Sequence, residues 1–89
     1  EDLTPVVAFC NAIRQIDTQG KFDAVVDFAY NVGLGRLRDS TLLKLIRSGA
    51  SDKAVCAELR KWVYGGGRVL GGLVTRREWE VKRWMEGRV

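Results

Sequence analysis

The chain of 89 residues contains no histidine, a single proline, a single methionine and two cysteines. Without histidine, the Ser-His and Cys-His pairs that activate most nucleophiles are excluded, and with no Cys-x-x-Cys spacing a zinc site lacks its usual ligands. Cys10 and Cys56 allow at most one internal disulfide, too few to build a scaffold from cross-links. Each falls in step with apolar neighbours, so both read as buried, inert thiols. No serine has the Gly-x-Ser-x-Gly setting of a nucleophile elbow, and Gly65-Gly66-Gly67 lacks the lysine and hydroxyl residue of a phosphate-binding loop. No apolar run approaches the length of a membrane span and no signal peptide is evident, so the chain reads as a mature, soluble piece. No segment alternates with the period of a strand, and there is no repeat, low-complexity tract or linker.

What is present suits one small core. At 46% hydrophobic content the chain is long enough for one domain over 1–89 and too short for two, and a domain of this size buries only about 60% of its unfolded surface. The net charge of +4 is unevenly spread: residues 1–59 carry seven basic and eight acidic side chains, and residues 60–89 carry eight and three. A positive C-terminal end attracts polyanions such as nucleic acid, anionic lipid or an acidic wall polymer; it also suits a merely solvated helix surface.

The apolar spacing predicts an all-α bundle of about five helices. Thr4 before Pro5 reads as an N-cap, with Val6, Phe9, Cys10, Ile13 and Ile16 on one face and an end near Asp17 to Gly20. A second helix begins near Lys21, buries Phe22, Val25, Val26 and Ala29, and stops at Gly33, followed by a short helical turn through Leu37. Ser40 caps Thr41 to Ser48, and Ser51 caps a helix reaching about Val63. Gly65 to Gly72 reads as a loop, because glycine inside a helix costs about 1 kcal/mol per residue. The last helix then runs from about Leu73 to Met85 with Leu73, Val74, Val81, Trp84 and Met85 buried.

Few residues carry chemistry. Glycosidic hydrolysis needs a proton donor and usually a second carboxylate across a cleft, yet Asp23 and Asp27 read as the wet side of an amphipathic helix, and Glu78 and Glu80 as surface ion pairs with the neighbouring basic residues. Asn31, just before the helix-ending Gly33, either faces a groove where its carboxamide meets a sugar or bonds its own backbone. Tyr30 and Tyr64 are either stacking platforms or core-edge aromatics. Arg77 falls on the inward stripe of the last helix, so it is either buried and paired or aimed at a ligand.

Phe22-Asp23-Ala24, Phe28-Ala29-Tyr30-Asn31-Val32-Gly33, Ser40-Thr41-Leu42-Leu43, Trp62-Val63-Tyr64 with the glycine loop, and Gly72-Leu73-Val74 running into Arg76-Arg77-Glu78 occur in one order. Together they resemble the phage-type lysozymes, or endolysins, over Phe22 to Glu78. The resemblance implies a muramidase that cleaves between N-acetylmuramic acid and N-acetylglucosamine in peptidoglycan, acting on the bacterial wall, in periplasm or exterior, after synthesis in the host cytoplasm. It implies no cofactor and no metal. It places Tyr30 and Asn31, with Ser40 and Thr41, on the sugar-facing side, and offers Arg68 and Arg77 to the peptide stem or carboxylates of the wall. Trp62 anchors the core against the last helix. In that family the general acid is a glutamate of an N-terminal lobe, followed by an aspartate and a threonine, and no glutamate here has that spacing. The expectation is therefore a C-terminal helical lobe without its catalytic partner, inactive alone, with apolar surface that could drive dimerisation where the other lobe packs.

Two other readings stay open on the residues. One is a non-enzymatic peptidoglycan-binding module. The other is a small basic nucleic-acid binder using the Arg76 to Arg83 face; Glu78, Glu80 and Glu86 among those arginines count against it, and no nucleic acid is expected as partner.

Overall fold

The computed structural model describes residues 3–86; Glu1, Asp2 and positions 87–89, which complete the expected 1–89 domain, lie outside the described residues. Six helices and one small hairpin follow in order: α1 (Thr4–Asn11), α2 (Gln19–Val32), α3 (Leu34–Arg38), α4 (Thr41–Arg47), α5 (Asp52–Leu59), β1 (Tyr64–Gly65), β2 (Arg68–Val69) and α6 (Gly71–Glu86). The all-α expectation holds, with this hairpin added.

Hydroxyl side chains start three of the helices. Thr18 accepts from the Lys21 amide at 3.1 Å, Ser40 from Leu43 at 3.0 Å and Ser51 from Ala54 at 3.2 Å, each meeting a first-turn N–H that would otherwise lack a partner. The Thr18 cap opens α2 two residues before the expected Lys21. α1 is shorter than its apolar spacing suggests. After Asn11 the chain tightens into i to i+3 bonds, Ile13 N to Cys10 O and Ile16 N to Ile13 O, both at 3.1 Å, which turn Ile13 into the core instead of extending the helix. Gly33 ends α2 and enters α3 at φ 102° and ψ 142°, a conformation that only glycine adopts without strain.

The glycine run is a hairpin and a helix start rather than a plain loop. Gly66 and Gly67 have φ of 61° and 81°, the two successive positive values of the two-residue turn that matches strand twist, and Gly65 pairs with Arg68, Tyr64 with Val69. Beyond it, Gly71 and Gly72 occupy the first turn of α6, where the glycine penalty is smaller than in a helix interior.

The core gathers around α2, whose Ala24, Val25, Phe28 and Ala29 are buried against Val6, Cys10 and Ile13 on one side and Val81 and Trp84 of α6 on the other. Leu37, Leu42, Leu43, Ile46, Val55, Cys56 and Leu59 complete it. Trp62 meets Phe28 edge to face, with centroids 5.1 Å apart and planes at 88°, a favoured aromatic geometry. At the far end of α6 the Trp84 indole N–H donates to Asp52 Oδ1 at 2.8 Å, seating that helix on α5. Both cysteines are buried and unbridged. Burial pushes the Cys10 thiol up to about 11 and raises that of Cys56, so both stay protonated and unreactive at neutral pH.

The inward stripe of α6 differs from the expected one. Arg77, Glu80, Val81 and Trp84 are buried, while Val74 and Met85 are exposed. Glu80 is no surface ion-pair member, because α2 presents polar partners to α6 and draws that face of the helix inward. Glu78 binds the Arg60 guanidinium through both oxygens, at 2.8 and 3.1 Å. Asp23 pairs with Arg83 and Asp27 with Arg76 across the α2 and α6 seam, so these carboxylates are half-buried clasps rather than a wet face.

Candidate functional site

The most unusual chemistry lies where the last turn of α2 faces the second turn of α6. Arg77 is fully buried. Its Nη2 donates to Asn31 Oδ1 at 2.8 Å and to Glu80 Oε2 at 3.2 Å, and its Nη1 to the Trp62 carbonyl at 3.5 Å. The guanidinium carbon lies 5.1 Å from the centre of the Phe28 ring, within cation–π range. Burial lowers the Arg77 pKa, and the Glu80 and Asp27 carboxyls oppose that shift; a guanidinium stays charged in such a setting.

Glu80 is pushed up to about 9, first by burial and then by the Asp27 carboxyl beside it, because a charge removed from water and set near a second carboxylate favours the neutral acid. Asp27 Oδ2 and Glu80 Oε1 are both buried without a donor, and Arg77 Nε stands 3.0 Å from that Oε1 without bonding geometry. One proton carried by Glu80 and donated to Asp27 satisfies both oxygens, leaving Asp27 Oδ1 to accept from Arg76 Nη1 at 3.1 Å.

Over this network opens a groove of about 370 Å³, to which α2 contributes Asn31 and Val32, α3 Arg36, the segment after α5 Lys61 and Trp62, β1 Tyr64, and α6 Leu73. Five separate parts of the chain thus converge on one concavity, positioned by the Gly33 corner and the hairpin. Two aromatic rings, a carboxamide and two cations suit a ligand with pyranose faces and oxygen acceptors. Lys61 also meets Glu58 at 3.0 Å, so Arg36 is the freer of the two cations.

The sequence-chosen residues divide. Asn31 lines this groove. Tyr30, its neighbour, is 49% exposed and points elsewhere, into a second groove of about 280 Å³ with Phe22, Val26, Asp27 and Trp79. Ser40 is buried, its hydroxyl donating to the Leu37 carbonyl at 2.7 Å while capping α4, so it is engaged in structure rather than turned to a ligand. Thr41, on the first turn of α4, and Arg68, on β2, are both exposed and outside the Asn31 groove. Arg77 is the paired alternative of the two its position allowed. Arg36 and Lys61 escaped sequence reasoning, because no spacing signals that α3 and the end of α5 meet.

The model of the phage lysozyme family matches residues 2–80. The chain belongs to the phage lysozyme family. Among curated relatives, the endolysin of Bacillus phage B103 is 44% identical over 88 residues, covering 98% of this chain and 33% of the relative. The endolysin of Bacillus phage PZA is 48% identical over 78% of this chain and 26% of its own length, and the SAR-endolysin of bacteriophage PS119 is 43% identical over 90% and 48%. The chain therefore spans between a quarter and a half of these relatives. Among the described residues, no helix of this phage lysozyme family member is long and apolar enough to cross a membrane.

Proposed function

We propose that peptidoglycan is the ligand of the Asn31 groove, and that this chain is the helical C-terminal lobe of an endolysin that hydrolyses the bond between N-acetylmuramic acid and N-acetylglucosamine for host lysis. The observation carrying this reading is the convergence of Asn31, Trp62, Tyr64, Arg36 and Lys61 on one groove in a chain of this family. The rings offer faces to pyranose units, the carboxamide and cations offer donors to acetamido and carboxylate oxygens, and the site of action is the bacterial wall after synthesis in the host cytoplasm. No cofactor enters.

The chain grips rather than cuts. The proton donor comes from an N-terminal catalytic lobe, and loss of general acid catalysis alone removes typically 10²–10⁴-fold in rate. The Tyr30 groove, with Trp79 48% exposed beside it, receives that lobe, or a second copy of this chain in its absence. A turbidity assay on purified peptidoglycan with the pure chain should show no clearing, while a pull-down on the same material retains it. Clearing at the rate of an intact endolysin, or failure to be retained, overturns the reading. A monomeric elution volume at high concentration counts against self-association.

A further inference from the structure

Arginine carries five N–H donors and no acceptor, so the atom of Asn31 that meets Arg77 Nη2 at 2.8 Å has to be the carbonyl oxygen. Flipping the carboxamide would set donor against donor over a buried guanidinium. With Oδ1 held from below, the amide nitrogen is the end of Asn31 left for the groove. The charged lining there, Arg36 and Lys61, also consists of donors alone. Asn31 is thus oriented by something other than the ligand.

Arg77, which orients it, is itself held by Glu80. Glu80 is fully buried, does not line the groove, and holds Arg77 by one hydrogen bond, its Oε2 accepting from Nη2 at 3.2 Å, with Oε1 close to Nε but outside bonding geometry. The Trp62 carbonyl takes Nη1 and the Phe28 ring closes one face, so the guanidinium is confined on three sides and Asn31 accepts from the end that remains. The order Glu80, Arg77, Asn31, groove runs from the α2 and α6 seam to the surface.

We propose that Glu80 is a positioning residue that, through Arg77, fixes the Asn31 amide as a donor in the groove, so that the site selects a ligand oxygen acceptor, an acetamido carbonyl or a stem-peptide carboxylate. The ligand part rests on the groove being the peptidoglycan site; the orientation part does not.

The test uses the whole chain, nitrogen-15 NMR and two probes: an N-acetylglucosamine tetramer, which presents acetamido carbonyls, and N-acetylmuramyl dipeptide, which adds carboxylates. Asn31→Asp keeps an acceptor toward Arg77 and removes the amide, so its melting temperature should not fall while affinity for the preferred probe drops about tenfold, the worth of one good hydrogen bond to a charged or polar partner. The probe that loses more on Asn31→Ala identifies the oxygen recognised. In Glu80→Met, which fills much the same space without an acceptor, the side-chain amide signals of Asn31 should move toward their solvent positions and affinity should fall severalfold, whereas Glu80→Gln, which keeps an acceptor toward Arg77 and a donor toward Asp27, should leave both unchanged. Unchanged amide signals in a folded Glu80→Met overturn the positioning role. Should that variant fail to fold, unchanged affinity for both probes in Asn31→Asp overturns the proposal instead. A wild-type chain that binds neither probe overturns the peptidoglycan reading and the ligand half of this proposal, while the Asn31 signals of the ligand-free protein still decide the Glu80 half.

Discussion

Glu80 carries a stability signature with a definite sign. Its folded pKa stands near 9, above the ordinary value of 4.5, so between those limits the native state holds a proton that the unfolded state has released. Its contribution is complete below about pH 4.5 and is lost as the pH rises toward 9. Asp23 and Glu78 act in the opposite sense: Arg83 and Arg60 lower their pKa values, and what they contribute is lost only as the pH falls through those lowered values. Thermal unfolding of the wild type should therefore show a falling melting temperature from pH 5 to pH 9, and Glu80→Gln should flatten that slope. Ser40→Ala, which removes the α4 cap, should cost about 1 kcal/mol and lower the melting temperature by roughly 4–8 °C, without weakening retention on peptidoglycan. Ser40 was singled out for two duties: its spacing in the sequence is that of a cap, which it is, while family likeness alone set it toward sugar, and its buried hydroxyl is engaged within the fold. Arg77 was legible as inward-facing and paired, whereas Glu80 was opaque for another reason. A polar residue three positions from another on a helix looks the same whether both face water or both face the polar side chains of a packed neighbour, and only α2 decides which.

At the scale of elements, the caps and stops of the inner helices were legible because each depends on one residue and its own backbone, whereas Thr4, expected as the first cap, is the first helical residue of α1 and Leu3 precedes it without a side-chain cap bond. Ser40, Ser51 and Gly33 all mark the boundaries they were expected to mark. The hairpin was not legible, since two residues per strand carry no period and five glycines among eight positions read as a loop. The ends of α1 and α5 were missed because core packing of Ile13 and of Trp62 overrides a spacing that would otherwise continue the helix. Two nearby glycines separate these effects in a direct experiment. Gly33 sits at φ 102°, so Gly33→Ala should destabilise by about 1–3 kcal/mol through backbone strain. Gly35 lies inside α3 with open space around an added Cβ, so Gly35→Ala should stabilise by up to about 1 kcal/mol. Denaturant unfolding of the two variants checks both, and equal midpoints would contradict the assigned corner.

For the molecule as a whole, the cationic surplus at the C-terminal end is largely engaged by internal partners. Arg60 binds Glu78, Lys61 binds Glu58, Arg76 binds Asp27, and Arg83 reaches Asp23 and Glu86, while Arg77 is fully buried away from the surface. The field available to an external polyanion is smaller than the composition suggests. Retention on purified peptidoglycan should therefore weaken less than tenfold between low and physiological salt, whereas a protein neutralising six or more phosphates loses about 10³-fold or more. A steep salt dependence would favour the nucleic-acid reading. The exposed turn at Gly66 and Gly67 has one further consequence. A cut there would part α6 from everything before it, yet the partners of Arg77, Glu80 and Trp84, namely Asn31, Asp27 and Asp52, would all remain on the other fragment. The fold is in effect perforated at that turn into two pieces that recognise each other, so mixing them should reconstitute the groove over Asn31, and withholding one should leave it disassembled.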